Sequence, residues 1–272
     1  MNWRAIRTLI RRDLQVVLQS RSVLLPMIVV PLILVIGLPL FLTFVLRTAP
    51  PSDPDVSDMV QLVEQLPVDL LADFANVPLM GQVLIYMLTY FFAPLFLILP
   101  LMTASVIAAD SFAGEKERKT LEALLYTPTS DQELYVAKVL TPWVAAMAVM
   151  LLALVGYSIV VNAVAAPMVG YVFFPNLMWL ILAFWVGPAA AGLGLGVMVL
   201  VSSRVSTFQE AYQLGGLVVL PVLLLVFGQV GGVIFLSIPV VLAIGVVLWL
   251  IDLAVLWFGA RIFTRSNLLS RL

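Results

Sequence analysis

Long stretches without a charged residue limit most strongly how this chain folds. Asp, Glu, Lys and Arg are all absent from residues 22–46, 74–109, 139–203 and 211–251. A helix that crosses a bilayer needs roughly 20 apolar residues. The first two stretches therefore hold one crossing each, the third holds two, and the last, continued to residue 260, holds two more. We predict an all-α membrane protein with six transmembrane helices, over about residues 22–46, 79–108, 132–161, 176–201, 210–234 and 239–261.

Missing residue types exclude several kinds of chemistry. The chain has no Cys and no His, which excludes disulfides, thiolate chemistry, and metal sites or catalytic triads that use His. Only 11% of its residues are charged, against about 25% in a soluble domain. The net charge of −1 gives no reason to expect a nucleic-acid partner. We predict no catalytic residue and no metal site in this chain.

Basic residues are concentrated on one side of the predicted bundle. With six spans, thirteen of the fourteen Lys and Arg residues share a side, and only Arg47 is opposite. Under the positive-inside rule the basic side is cytoplasmic, so we expect both termini there and a multi-pass protein of the cytoplasmic (inner) membrane. The first span is too long for a cleavable signal peptide and is expected to remain as an anchor.

The N-terminal segment, residues 1–21, is predicted to be an amphipathic helix in the membrane interface, ahead of a six-span domain at residues 22–272. Ile6, Leu14 and Val17 share an apolar arc, and the arginines lie opposite. Asp13 interrupts that apolar arc. Two explanations are open: the helix is a simple membrane anchor, or Asp13 marks a contact with protein.

An acidic loop at residues 47–78 connects the first two spans on the predicted outer side. It holds two short amphipathic pieces separated at Pro67. We expect a cap of one or two helices that is too small to be an independent domain.

A dense run of mixed charge, "FAGEKERKTLEALLYTPTSDQEL", follows the second span. Its composition predicts a helix from Phe112 to Tyr126, stopped by Pro128, while Ser130 and Glu133 form a capping box for the third span. The helix is too short and too charged to cross the membrane. It is either an ordinary solvated loop helix or a segment that docks into a groove on a soluble partner.

Three stretches carry a resemblance to the membrane subunits of ABC-2 type ABC transporters. They are "SFAGEKERKTLEALLYTPTSDQELYVAKVL" at residues 111–140, "SSRVSTFQEAYQLGGLVVLP" at 202–221 and "ARIFTRSNLL" at 260–269. The resemblance covers nearly the whole chain and is greatest to the sodium- or drug-exporter-like permease branch. The long acidic outer loop departs from the simplest members.

The resemblance implies an ABC-2 (type V exporter-like) fold in which residues 112–127 are a cytoplasmic coupling helix. The residues expected to contact the ATPase are Glu115, Lys116, Glu117, Arg118, Lys119, Thr120, Glu122 and Leu125. The resemblance also implies two copies of a separate ABC ATPase, which binds ATP and Mg²⁺. It further implies a second permease protomer, which forms a homodimer with the first. No P-loop occurs here, because the only Lys-Thr pair, Lys119-Thr120, follows Arg118 rather than Gly. We therefore expect no enzymatic activity and no cofactor in this chain.

A substrate path is predicted from few residues. Family analogy suggests that Tyr86, Tyr90 and Phe91 line a hydrophobic path at the dimer centre, and Asp252 is the clearest charge at membrane depth. A charge at that depth is by default a functional hypothesis. Asp252 is expected to face a polar interface rather than lipid. Packing alone would also explain the aromatic residues, and a protonated or hydrogen-bonded carboxyl would explain Asp252.

The expected function is export by alternating access, with energy from the partner ATPase. Spans that are poor in charge suit a small amphipathic molecule, lipid-like compound or drug better than Na⁺, although backbone carbonyls can coordinate Na⁺. One alternative is a mechanotransmitter, in which the ATPase moves the outer loop to act on an external partner without moving cargo. A secondary carrier is less favoured, because it needs several titratable groups in the membrane.

Overall fold

The computed structural model describes residues 3–50, 53–67, 74, 76–119 and 130–262, which form a helical bundle. Six of its helices are long and apolar enough to cross a membrane, which confirms the predicted number. The helices are α1 (Trp3–Gln19), α2 (Arg21–Thr48), α3 (Pro54–Glu64), α4 (Leu79–Phe91), α5 (Ala93–Glu117), α6 (Asp131–Val169), α7 (Leu177–Ser202), α8 (Phe208–Val230) and α9 (Ile238–Ile262). The spans are α2 and α5 to α9.

Side-chain caps fix the ends of the spans. Ser130 and Glu133 form the predicted capping box at the start of α6, with Ser130 Oγ accepting from the Glu133 N–H. Thr207 caps α8 by accepting from the N–H of Glu210. Gly170 ends α6 in the left-handed region at φ 82°, where glycine has no Cβ to strain. The helix α6 therefore extends to Val169, beyond its predicted end at about residue 161.

The spans pack around α5, which is the most buried of them. The helices α6 and α7 contact α5 along their length, and α9 packs against α7. Small residues allow the close approach of α5 and α7, because a methyl group on Gly194 would overlap the carbonyl oxygen of Leu101. The outer faces of α2, α6, α8 and α9 carry exposed apolar side chains, as expected for surfaces that meet lipid.

The second predicted span is broken into α4 and α5. A π-helical segment, Met87–Phe91, ends α4, and the chain bends at Phe92 before α5 begins. Pro94 has no N–H to donate to the carbonyl of Tyr90 four residues earlier, which is a physical cause for the break. The predicted span at about residues 79–108 is thus two helices in series, and the second continues to Glu117.

A separate helix from Phe112 to Tyr126 was predicted, and its predicted start at Phe112 is wrong. Residues 112–117 are the last turns of α5, and Arg118 and Lys119 form a turn in which Lys119 has a φ of 56°. Helix propensity did not reveal this break, because the left-handed backbone conformation of a Lys depends on its surroundings in the fold rather than on local composition. Residues 120–129 lie outside the described residues, as does the predicted stop at Pro128.

The two peripheral segments also differ in detail from expectation. The helix α1 buries Ile6, Asp13 and Val17, and it packs on α6 and α2, so part of its apolar arc meets protein. In the outer loop, α3 is N-capped by Asp53 and packs on α4. The piece of the outer loop after Pro67 lies largely outside the described residues.

Candidate functional site

A buried ion cluster joins α1, α5 and α6 at one end of the bundle. Lys138 of α6 is 1% exposed, and its Nζ lies 2.6 Å from Oε2 of Glu115. The ammonium also donates to the carbonyl of Ser111 at 2.7 Å and lies 5.5 Å from the centroid of the Phe112 ring. The other carboxylate oxygen of Glu115 is 3.5 Å from Nη2 of Arg12 on α1. A buried ammonium needs such partners, since its desolvation costs several kcal/mol.

Asp13 of α1 belongs to the same cluster. Burial raises the pKa of its carboxyl above the ordinary value, and the negative charges of Glu115 and Asp110 add to that rise. The positive charges of Lys138 and Arg12 oppose it. The Asp13 side chain is 6% exposed and lies 3.9 Å from Nε of Arg12. The residue that interrupted the apolar arc in the sequence thus faces other ionisable groups of its own chain.

A second ion pair closes the end of α5. Nη1 of Arg118 donates to Oδ1 of Asp110 at 3.0 Å, and this hydrogen bond raises the pKa of the guanidinium. Both groups lie over Gly114, where an added Cβ would come within 2.9 Å of Oδ1 of Asp110 and 3.2 Å of Nη1 of Arg118. The backbone from Asp110 to Gly114 is π-helical, a distortion that is frequent at functional sites.

Two further contacts connect this end of α5 to the start of α8. Nζ of Lys116 donates to the carbonyl of Val205 at 3.2 Å. The N–H of Phe208 donates to Oε2 of Glu117 at 2.9 Å. Because Val205 lies between α7 and α8 and Phe208 begins α8, a displacement of residues 116–117 would act directly on α8.

The predicted ATPase-contacting residues therefore divide into two groups. Glu115 is buried and Lys116 is half-buried, and both hold the bundle together. Glu117, Arg118 and Lys119 are exposed at its end. Thr120, Glu122 and Leu125 lie outside the described residues. Sequence reasoning missed Asp110, although it is the first charge after an uncharged stretch. It treated Arg12 only as one of the arginines on the polar side of the N-terminal helix.

The predicted path residues are not gathered in one place. Tyr86 and Tyr90 are 2% and 6% exposed, with their rings 6.2 Å apart, inside the apolar core. Phe91 is half-buried next to Phe92. Asp252 is on α9 and faces α7, where a methyl group on Gly192 would overlap its carboxylate.

Asp252 is 1% exposed, so it faces protein rather than lipid. Neither of its carboxylate oxygens has a hydrogen-bond partner among the residues that the structure describes. The expected polar interface is thus not found in this part of the chain. Gly192 makes the space for Asp252, and the sequence did not indicate this pairing.

The break between α4 and α5 is held by side chains from three spans. The Tyr157 hydroxyl donates to the carbonyl of Leu88 at 2.7 Å, and the Trp179 indole N–H donates to that of Thr89 at 2.6 Å. Nε2 of Gln229 donates to the carbonyl of Tyr90 at 3.0 Å. In an apolar setting each unpaired carbonyl would be costly, so these donors stabilise an irregular backbone.

The chemistry of these sites is structural and electrostatic. In the described ranges no group of three or more His, Cys, Asp or Glu residues is placed to hold a metal ion. The ion cluster offers buried pairs, not a nucleophile with a base. What it can do is transmit a displacement from exposed charges to α1, α6 and α8.

Comparison with known proteins agrees with this arrangement. The sequence profile of the ABC-2 family transporter proteins matches residues 7–260, which include all six spans and the ion cluster. No curated protein shows detectable similarity to the chain. Because the match covers nearly the whole chain, the protein belongs to the ABC-2 transporter family, as a multi-pass membrane permease component that lacks a catalytic ATPase domain of its own.

Proposed function

We propose that this permease exports a small amphipathic or lipid-like molecule, with energy from a separate ABC ATPase. A drug would fit the same assembly, whereas Na⁺ fits it less well, because charged side chains are scarce in the spans. The assembly would contain two ATPase subunits, which bind ATP and Mg²⁺, and a permease homodimer. Both termini would be cytoplasmic, in the cytoplasmic (inner) membrane.

One observation carries the proposal: the exposed end of α5 is bonded to three other helices. Glu117, Arg118 and Lys119 are exposed and form a surface that a soluble subunit can contact. Directly behind them, Glu115 is bonded to Lys138 of α6 and Arg12 of α1. Glu117 is bonded to the start of α8. A push on this surface would therefore reach α1, α6 and α8 together.

The same contacts support the proposed orientation. Basic residues of α1, α5 and α6 meet at one end of the bundle, as the positive-inside rule requires of a cytoplasmic end. The acidic helix α3 packs on α4, which precedes α5 in the chain. In the proposed orientation the acidic cap would lie on the external side.

Charge reversal tests this proposal. Glu115 is buried against Lys138, so its reversal would test folding as much as coupling. The exposed Lys119 is the better choice, with Arg118 as a second variant. We expect Lys119→Glu and Arg118→Glu to reduce co-purification with the ATPase and to lower its stimulated turnover, whereas Asp58→Lys in α3 changes neither. Unchanged binding and turnover in both variants would contradict coupling through this surface.

A second function, mechanotransmission, is favoured by the position of α3. This helix packs on α4, and α4 is continued by α5 to the ion cluster, so one pair of helices links the outer cap to the proposed ATPase surface. Deletion of residues 52–76 distinguishes the two functions. If deletion of the cap abolishes transport, the result favours neither function over the other. If transport is intact but the external partner no longer responds, transmission is established.

A further inference from the structure

Two cavities meet at Leu101 of α5. One, here called the aliphatic cavity, has a volume of about 390 Å³ and lies among α5, α7, α8 and α9. The other, here called the polar-lined cavity, has a volume of about 300 Å³ and lies among α5, α7 and the first half of α8. Both fall within the range of roughly 300–1,000 Å³ that is typical of small-molecule sites. Leu101 lines both, so the two cavities are adjacent.

The packing of the last two spans explains the space. The helix α8 packs on α5, and α9 packs on α7. Within the described ranges α8 and α9 have few contacts with each other, so a cleft remains between them. Leu225 of α8 and Val247 of α9 line its opposite sides. Val247 is 56% exposed, so the cleft is open at the surface of the bundle.

The aliphatic cavity suits a hydrocarbon chain. Its lining consists of Leu, Ile, Val, Ala and Pro side chains, including Leu97, Leu193 and Ile244. Water needs two to four polar partners to be stable in a cavity, and this lining supplies almost none. A hydrocarbon chain has no such requirement.

The polar-lined cavity differs by offering neutral hydrogen-bonding groups. Ser105, Tyr212 and Gln213 line it beside Met102 and Met198. The Ser105 hydroxyl already donates to the carbonyl of Leu101 at 2.8 Å, which leaves its oxygen as an acceptor. Tyr212 and Gln213 add a phenol and an amide. The residues that line the two cavities include no Asp, Glu, Lys or Arg.

We propose that the two adjacent cavities bind a neutral, single-chain amphiphile that passes Leu101, with its tail in the aliphatic cavity and its uncharged head at Ser105, Tyr212 and Gln213. The absence of lining charge disfavours an ionised head group, which would be desolvated without a partner. Since there is one aliphatic cavity beside one polar-lined cavity, the site has room for a single hydrocarbon tail. This inference rests on the proposed function and names the class of cargo for it.

Photolabelling tests the proposal on the isolated permease in phospholipid nanodiscs. The probe is a monoacylglycerol with a diazirine at the end of its chain. We expect saturable labelling near Leu225 and Val247, displaced at least about tenfold better by unlabelled monoacylglycerol than by the fatty acid of equal length. Ala243→Trp narrows the aliphatic cavity and should abolish most of the labelling. The matched control, Leu152→Trp on the exposed face of α6, should leave the labelling unchanged.

Several outcomes would overturn the site. They are labelling that does not saturate, labelling spread evenly over exposed helix faces, and equal displacement by the fatty acid or by a two-chain phospholipid. Competition on the unaltered chain gives an answer even if Ala243→Trp fails to fold. Because the assay needs no ATPase, its failure is separate from that of the proposed function. If the permease stimulates its ATPase but its labelling does not saturate, only the proposed amphiphile site is contradicted.

Discussion

Nζ of Lys138 lies 2.6 Å from Oε2 of Glu115, and the side chains on both sides of this contact are almost fully buried. The pair joins α6 to α5 at the point where α5 emerges from the bundle. Arg12 reaches the same carboxylate from α1. Three helices thus share one carboxylate, and a change in its position would move all three together.

Removal of one partner from this pair should destabilise the protein strongly. Lys138→Met removes the ammonium that lies 2.6 Å from the buried Glu115 carboxylate, and breaking a buried pair costs roughly 3–5 kcal/mol. The double variant Glu115→Gln/Lys138→Met removes both charges and should be closer to the unaltered chain. Unfolding in detergent, followed by circular dichroism, measures the difference. A single variant as stable as the parent would show that the pair does not hold α5 to α6.

The raised pKa of Asp13 predicts a pH dependence. The folded state keeps the Asp13 proton at a pH where the unfolded state has released it. The resulting contribution to the stability of the protein is complete below the pKa that Asp13 has in the unfolded state. It is lost as the pH rises through the folded pKa. Asp13→Asn removes that loss, and we expect the variant to gain stability relative to the parent between about pH 4 and about pH 8.

Melting temperatures at the two pH values measure this gain. The neighbours that set the shift, Lys138, Glu115, Arg12 and Asp110, are present in both proteins. Asp58→Asn on the exposed outer helix is the matched control and should show no such gain. An equal response in both variants would refute the role of burial at Asp13.

The contact between Asp252 and Gly192 predicts sensitivity to a single methyl group. Gly192→Ala places Cβ against the Asp252 carboxylate and forces α7 and α9 apart, at a cost of about 1–3 kcal/mol for an overpacked core. Gly216→Ala is a control, because no atom lies within 4 Å of its added Cβ. Asp252→Ala should suppress the effect of Gly192→Ala in the same unfolding assay. If it does not, the clash lies elsewhere.

The spans were predictable and the site was only partly so, for physical reasons. An uncharged stretch such as residues 139–203 has few alternatives to crossing the membrane, and the Ser130 capping box is a purely local signal. The end of α5 depends instead on tertiary contacts. Arg118 turns back to Asp110, eight positions earlier, and no local preference predicts that pairing. Asp13 was visible as an irregularity, but its partners come from distant helices.

The break between α4 and α5 predicts an effect of one hydroxyl group. Tyr157→Phe keeps the ring and removes the donor to the carbonyl of Leu88, which leaves a buried acceptor unpaired. Hydrogen bonds of this kind in membrane proteins contribute about 0.6 kcal/mol on average and up to about 1.7 kcal/mol. Since the Phe92 N–H, four residues after Leu88, bonds the carbonyl of Met87 instead, we expect a loss near the upper value and faster amide hydrogen exchange in residues 88–93. Tyr171→Phe, at a 46% exposed position, is the matched control and should change neither quantity. Slow exchange retained in Tyr157→Phe would mean that the packing of the Tyr157 ring on Trp179, with centroids 5.2 Å apart, stabilises the break without the hydroxyl.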